Sequence, residues 1–275
     1  MRSNQWTADT STSLFDHISF KQQENKHIQL AMENFFSSIL SALLPDRCVK
    51  KYISGQDLFD VACFKLLLSK LLGYGIIAGS MFVKLPQLLK IIFEKSARGL
   101  SASSVLLELL CCTATSAYSF YQKFAFSSYG DAVFLVLQNT VIAFLILSWE
   151  HSYFVGTFFL GTYVAFTAYC FSPLVPFKTL STMQAGNTPV VLFSRGLQIW
   201  ANFRNGSTGQ LSVITVALMT AGSLARIFTS IQETSDPLII MNYVASSTAN
   251  LIILAQIAYY WNNELPPVED RQKKE

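Results

Sequence analysis

Seven apolar stretches, each roughly as long as a helix must be to cross the hydrocarbon core of a bilayer, recur between Leu66 and Trp261. They run Leu66–Ile92, Val105–Tyr121, Ala132–Trp149, Tyr153–Phe171, Met183–Phe203, Leu211–Ile231 and Leu238–Trp261. Hydrocarbon offers no water to an exposed backbone amide, so such stretches become helices that bond internally. Only 13% of residues are charged, against about 25% in soluble domains, and the mean hydropathy is +0.37. The expected fold is an all-α membrane protein with seven transmembrane helices.

Lys70, Lys84, Pro86 and Lys90 interrupt the first stretch. Proline has no amide hydrogen and collides with the preceding turn, so a helix containing Pro86-Gln87 must bend and find other partners for the carbonyls it frees. Such a bend inside a membrane marks a moving part or a site, and Pro86 and Gln87 are its expected hinge. Ahead of it, residues 1–52 form a polar N-terminal tail. Within that tail Ile28, Met32, Phe35, Phe36, Ile39, Leu40 and Leu43 recur at helical spacing, which predicts an amphipathic helix over about 28–44, too short to span. The first 27 residues lack the pattern of a signal peptide, so insertion is expected to rely on the first spanning helix. Residues 263–275 form a charged C-terminal tail.

Cys48, Cys63, Cys111, Cys112 and Cys170 show no metal-ligand spacing and lie mostly within the spans, where cysteine behaves as a small hydrophobe. No metal and no cofactor are expected. The net charge of +3 is spread over loops and tails without interleaved aromatic residues, which argues against nucleic acid as a partner. His17, His27 and His151 lie outside the spans, and no nucleophile–base pair, phosphate-cradling glycine loop or acidic metal cluster occurs, so no catalytic residue is assigned and the chain is not expected to be an enzyme.

Comparison of the chain with itself shows a repeat. Ser104-Val-Leu-Leu through Tyr118-Ser-Phe120 resembles Ser212-Val-Ile-Thr through Arg226-Ile-Phe228 at an offset of 108, and Asn139 matches Asn250 after a second-copy loop read as about three residues longer. Each copy then holds three helices. Two such units point the same way across a membrane only if an odd helix separates them, and Tyr153–Phe171 supplies it. The expected organisation is a first repeat over 53–150, a linker helix over 151–178 bounded by Pro173 and Pro176, and a second repeat over 179–262, the two repeats being parallel. Pro86-Gln87 falls opposite Ser194-Arg195 or, in a neighbouring register, Gly196-Leu197. Gly196 is therefore the expected point of looseness in the second copy.

The pair Pro86-Gln87 followed by Lys95-Ser-Ala-Arg-Gly-Leu-Ser101 resembles the PQ-loop family, so the repeats are read as PQ-loop repeats. More narrowly, Leu66–Gly73, Val83–Gln87, Leu107–Leu110, Ser207–Ser212 and above all Gly222–Glu233 are similar to the mannose-P-dolichol utilization defect branch of that family, over about residues 45 to 265. That resemblance implies a multi-pass protein of the endoplasmic reticulum membrane, needed for luminal glycosyltransferases to use dolichyl-phosphate-mannose and dolichyl-phosphate-glucose. It implies dolichyl-phosphate-linked sugars, the bilayer and glycosyltransferases as partners, and N-glycan, GPI-anchor and protein mannosylation as the pathways served. It also implies a luminal N-terminus, with the 95–101 loop and the C-terminal tail in the cytosol. The alternatives are a PQ-loop carrier for a small soluble sugar or amino acid, and a scaffold for glycosyltransferases.

Five polar residues are candidates for substrate contact. Glu108 is a carboxylate in an apolar helix and must face protein or water. With Cys111, Thr115 and Tyr118 it makes a polar stripe expected to meet Gln138 and Asn139 of the next helix. Asn139 and Asn250 are placed alike by the repeat, and their amides both donate and accept, as sugar hydroxyls require. The resemblance implies the same, since PQ-loop sugar transporters contact substrate through an asparagine in the third helix of each repeat. Arg195 and Arg226 are the arginines within or at the edges of spans, and a guanidinium suits a lipid phosphate. Interhelical hydrogen bonds, interfacial snorkelling and, for Arg226, a pair with Glu233 are the structural alternatives.

Overall fold

The computed structural model describes residues 32, 34, 35, 37, 38, 40, 41, 43–53, 60–97, 100–208 and 212–261. Two compact units divide at Leu67. In the first, the described residues between 32 and 43 are helical, and α1 (Asp46–Ile53) follows. The expected amphipathic helix is thus seen in part: Met32 and Phe35 are exposed and Leu40 is buried, while Ile28, Phe36 and Ile39 lie outside the described residues. A disulfide joins Cys48 of α1 to Cys63 in the first turn of α2 (Val61–Val83), inside a small core of Leu40, Leu44 and Val49. This corrects the expectation that both are simple small hydrophobes. Lys51 pairs with Asp60 beside the bridge. The Lys51 hydrogen bond, then the Cys63 amide, holds the Asp60 carboxyl below the usual carboxylate range.

The second unit runs from Leu68. It comprises the rest of α2, then α3 (Leu85–Glu94), α4 (Ala102–Tyr121), α5 (Phe126–Glu150), α6 (Tyr153–Cys170), α7 (Phe177–Asn205), α8 (Val213–Glu233) and α9 (Pro237–Tyr259). The α2–α3 stretch, α5, α6, α8 and α9 are long and apolar enough to cross a membrane. With α4 and α7, of 20 and 29 residues, they fall one for one on the seven expected stretches. Among the described residues there is no strand, and the protein is an all-helical, multi-pass membrane protein.

Helix starts follow the capping residues. Ser101, Ser152 and Ser212 accept from the amides of Ser104, Val155 and Thr215, satisfying first-turn donors that the helix leaves unpaired. Asp236 does the same for Leu238 and Ile239, with Pro237 in the first helical position, where its missing amide hydrogen costs nothing.

These caps also fix the repeat, and its offset is 111 rather than 108. Ser101 corresponds to Ser212 as N-cap, and the left-handed C-caps Lys95 (φ 47°) and Gly206 (φ 61°) correspond in the same register. So do the cores. Val105, Ile142 and Ile146 with Leu88 form one cluster, and Val216, Ile253 and Ile257 with Ile199 form its counterpart. The longer second-copy loop is not there: α5 and α9 begin at equivalent positions, Phe126 and Pro237. In this register Pro86-Gln87 stands opposite Leu197-Gln198 and Lys84 opposite Arg195. Helix α7 is continuous through Gly196, and the proline within it is Pro189, so the second copy shows no break at the expected glycine.

Candidate functional site

The first repeat breaks where proline requires it. Helix α2 ends at Val83, Lys84 leaves helical pairing, and α3 begins at Leu85 with Pro86 in its first turn. Three backbone groups beside the break are met by one side chain, Gln138 of α5. Its amide nitrogen donates to the carbonyls of Ser80 at 2.8 Å and Met81 at 3.1 Å, and its oxygen accepts from the Lys84 amide at 3.2 Å. An amide serves because it donates and accepts through one planar group.

Beside this break lies the candidate site, a cavity of about 570 Å³ between the repeats. Its wall includes Glu108 and Cys111 of α4, Ser194, Arg195 and Gln198 of α7, and Ser246 of α9. The Lys84 ammonium meets Glu108 at 2.8 Å, so the carboxylate is neutralised from the first repeat. The second repeat builds the corresponding contact differently. Arg195, equivalent to Lys84, reaches Met219, equivalent to Glu108, with its guanidinium 3.3 Å from the sulfur, and donates to Gln198 at 3.2 Å. Where the first copy has an acid the second has a thioether, and among the described residues Arg195 makes no ion pair.

At the opposite end of the bundle the repeats are joined by charge. Lys70 of α2 meets Glu233 of α8 at 3.0 Å, and Glu233 also accepts from Ser69 at 2.7 Å and from Ser127. Arg226 of α8 approaches Asp131 of α5 at 2.6 Å and donates to the carbonyls of Ser127 and Ser128 at 3.0 and 3.3 Å. The Tyr118 hydroxyl donates to Asp236 at 2.7 Å. Glycine permits the close approach beneath this network: a Cβ on Gly73 would sit 2.7 Å from the Ser127 carbonyl oxygen. The cavity therefore lies toward the end bearing the 95–101 and 206–212 loops, while the end bearing the turns at 122–125 and 234–236 is bridged.

The structure distributes the expected site residues unevenly. Glu108 and Arg195 share the cavity. Arg226 does not: it is buried in the bridged end with Asp131 as partner, and Glu233 belongs to Lys70. The polar stripe of α4 faces α7 rather than α5, since Asn187 donates to the Cys111 carbonyl at 3.1 Å and to Thr115 at 3.0 Å, and Thr115 donates to Gln184 at 3.0 Å. Gln138 is committed to the helix break. Asn139 and Asn250 each lie thirteen residues after the start of their helix and are buried, at 0% and 1% exposure. Among the described residues neither amide atom of Asn139 has a partner, nor does the Asn250 oxygen. Leaving such a group unpaired costs about 1–3 kcal/mol. They are not among the residues lining the cavity, although Ser246, one turn before Asn250, is. Pro86 is exposed and Gln87 half-buried at the break.

Sequence reasoning passed over Asp131, Gln184, Asn187 and the Lys84–Glu108 pairing. The signal for Asp131 was available, an acid near the start of an apolar span facing an arginine three spans on.

Residues 68–128 and 198–239 match the family model described as PQ loop repeat; one segment falls in each copy, and the two end at equivalent positions. Human solute carrier family 66 member 3 is 24% identical over 179 residues, covering 65% of this chain and 87% of that protein. No solved structure matches the chain. The class defined by the helices is a multi-pass membrane protein, and its two matched segments are similar to the PQ loop repeat.

Proposed function

We propose that this protein moves or presents an anionic sugar lipid, of the dolichyl-phosphate-mannose and dolichyl-phosphate-glucose type, from the cavity between its repeats. It does so in the endoplasmic reticulum membrane, as a non-enzymatic factor supplying glycosyltransferases of the N-glycan, GPI-anchor and protein mannosylation pathways. One observation carries the reading: Arg195 lines the cavity without a carboxylate partner, whereas its repeat equivalent Lys84 has one in Glu108. A guanidinium half out of water and unpaired is a ready partner for a phosphate. Glu108 on the same wall can accept from sugar hydroxyls.

The disulfide supports the orientation. Disulfides persist in oxidising compartments, so Cys48–Cys63 favours a luminal start of α2. Alternation of the spans then makes the cavity cytosol-facing and the bridged end luminal. Asn205-Gly-Ser207, a glycosylation sequon, falls on the cytosolic side and should carry no glycan.

The test is reconstitution of the purified chain into vesicles with dolichyl-phosphate-mannose, scoring access to the lipid from each leaflet. Redistribution that is lost in Arg195→Ala is expected, and normal dolichyl-phosphate-mannose-dependent glycans in cells lacking the protein would sink the reading. The buried Asn139 amide and Asn250 oxygen, without partners among the described residues, favour a second reading, a carrier for a free sugar. Uptake of soluble hexose by the same vesicles, abolished by Asn139→Ala, identifies it.

A further inference from the structure

A second site lies on the outer surface of the first repeat and linker helix, and it shares no lining residue with the cavity between the repeats. At the turns after α4 and α6, a cup of about 720 Å³ is walled by five aromatic rings, those of Phe120, Tyr121, Phe124, Tyr129 and Phe171, with Lys123 at its edge. Phe120 and Phe171 pack with centroids 5.4 Å apart and their planes tilted by 59°. Lys123 is held in the left-handed region at φ 57°, its amide donating to the Phe120 carbonyl at 3.0 Å. A non-glycine residue seldom adopts that conformation. The Lys123 side chain is exposed and makes no ion pair among the described residues.

Directly adjoining is an apolar groove of about 320 Å³ between α5 and α6, with Val133, Val136, Leu137 and Val141 on one side and Val164 on the other. The α5 contacts repeat at helical spacing along one stripe, so the groove runs parallel to the helices, for about 12 Å at 1.5 Å per residue. Phe171 lines both spaces, which makes them neighbours on either side of one ring. The order is that of an amphiphile standing in a bilayer: a polar-edged cup at the end of the spans, then an apolar slot directed toward the membrane centre.

The chemistry narrows the occupant. The cup is of the size that holds a small organic molecule rather than a bare phosphate. Its ring faces can pack against the C–H faces of a pyranose, while Ser172 supplies a hydroxyl and Lys123 a charge for a phosphate. The slot is lined mainly by α5 and α6, with Ser116 of α4 beside them, and its largely apolar wall suits a hydrocarbon chain. We propose that cup and groove together dock a single-chain lipid whose head carries a phosphate and a sugar ring. The class of lipid is the one named under the proposed function and rests on that reading. The location is new: a surface station, distinct from the cavity, at which the lipid enters or leaves.

The experiment uses the full chain in nanodiscs with a polyprenyl-phosphate-mannose bearing a diazirine on its first isoprene units, the labelled residues being mapped by mass spectrometry. Labelling is expected on α5 and α6 between 133 and 171, competed by unlabelled lipid of the same kind. Lys123→Glu and Phe171→Ala should each lower it by about tenfold, equivalent to a tenfold weaker affinity, and Arg195→Ala should leave it intact. Lys123 is exposed, so Lys123→Glu keeps the fold even if Phe171→Ala does not. Labelling unchanged by Lys123→Glu, or competed equally by phosphatidylcholine, would mark the groove as ordinary lipid contact and overturn the proposal. If vesicles redistribute the lipid but no label reaches the cup, the site fails and the proposed function stands. If the cup labels as expected but nothing is redistributed, the site stands and the proposed function fails.

Discussion

Arg195 and Arg226 are the same side chain put to opposite uses. Arg226 is nearly inaccessible and pairs with Asp131, so Arg226→Ala leaves a carboxylate uncompensated among helices; we expect a loss of about 3–5 kcal/mol, read as a marked fall in Tm in detergent. Lys84→Ala should cost no more than about 1 kcal/mol, because its partner Glu108 is 38% exposed and water can replace the ammonium. The presence of these charges was legible in the sequence, since an ionised group stands out in an apolar stretch. Their partners were not. Lys70 and Glu233 are 163 positions apart, and nothing in the spacing of either helix says which helix it faces. Local expectation therefore gave Glu233 to Arg226, a neighbour on its own helix, and tertiary packing gave it to Lys70.

At the scale of the helices, Gln138 and Pro86 form a coupled pair. Gln138→Leu strands two carbonyls and an amide at the break, and a loss of about 1–3 kcal/mol is expected. In a Pro86→Ala background the helix can close its own hydrogen bonds, so the same substitution should cost much less. A double-mutant cycle on Tm reads the difference, and equal costs in both backgrounds would show that Gln138 only fills space. The Cys48–Cys63 bridge closes a segment of 15 residues, which in the chain-entropy view is worth about 3 kcal/mol; dithiothreitol or Cys63→Ser should lower the Tm accordingly. The neighbouring Lys51–Asp60 pair adds a pH dependence of known sign. The Asp60 pKa is depressed in the fold, so its contribution is present above the ordinary carboxylate range and lost as pH falls through the lowered value. Asp60→Asn should remove that acid-side dependence from the Tm profile.

Helix number and the break were readable because membrane length and proline act locally. The repeat register was not, and the reason is geometric. Offsets of 108 and 111 differ by nearly one helical turn, so apolar faces still align and sequence similarity cannot distinguish them. Capping serines and left-handed C-caps occur once per helix end and cannot slip.

For the molecule as a whole, the bridged end sets which face of the bundle is shut. Glu233→Gln removes the partner of Lys70 and should shift the population toward opening on that side. A single cysteine placed at the buried Ser230, with the other cysteines replaced, should react several-fold faster with a membrane-impermeant maleimide in the Glu233→Gln background. An unchanged rate would mean that the network stabilises the fold without controlling access. The continuous α7 has a further bearing on such motion. The first repeat has an elbow at Lys84, and Gln138 lines that elbow so that it can flex without baring its main chain, whereas α7 stays one helix past both Pro189 and Gly196. Opening and closing should then be lopsided, with α3 as the swing arm carrying the 95–101 loop while α7 stays still, and damaging substitutions should crowd into residues 80–94 and spare their counterparts at 191–205.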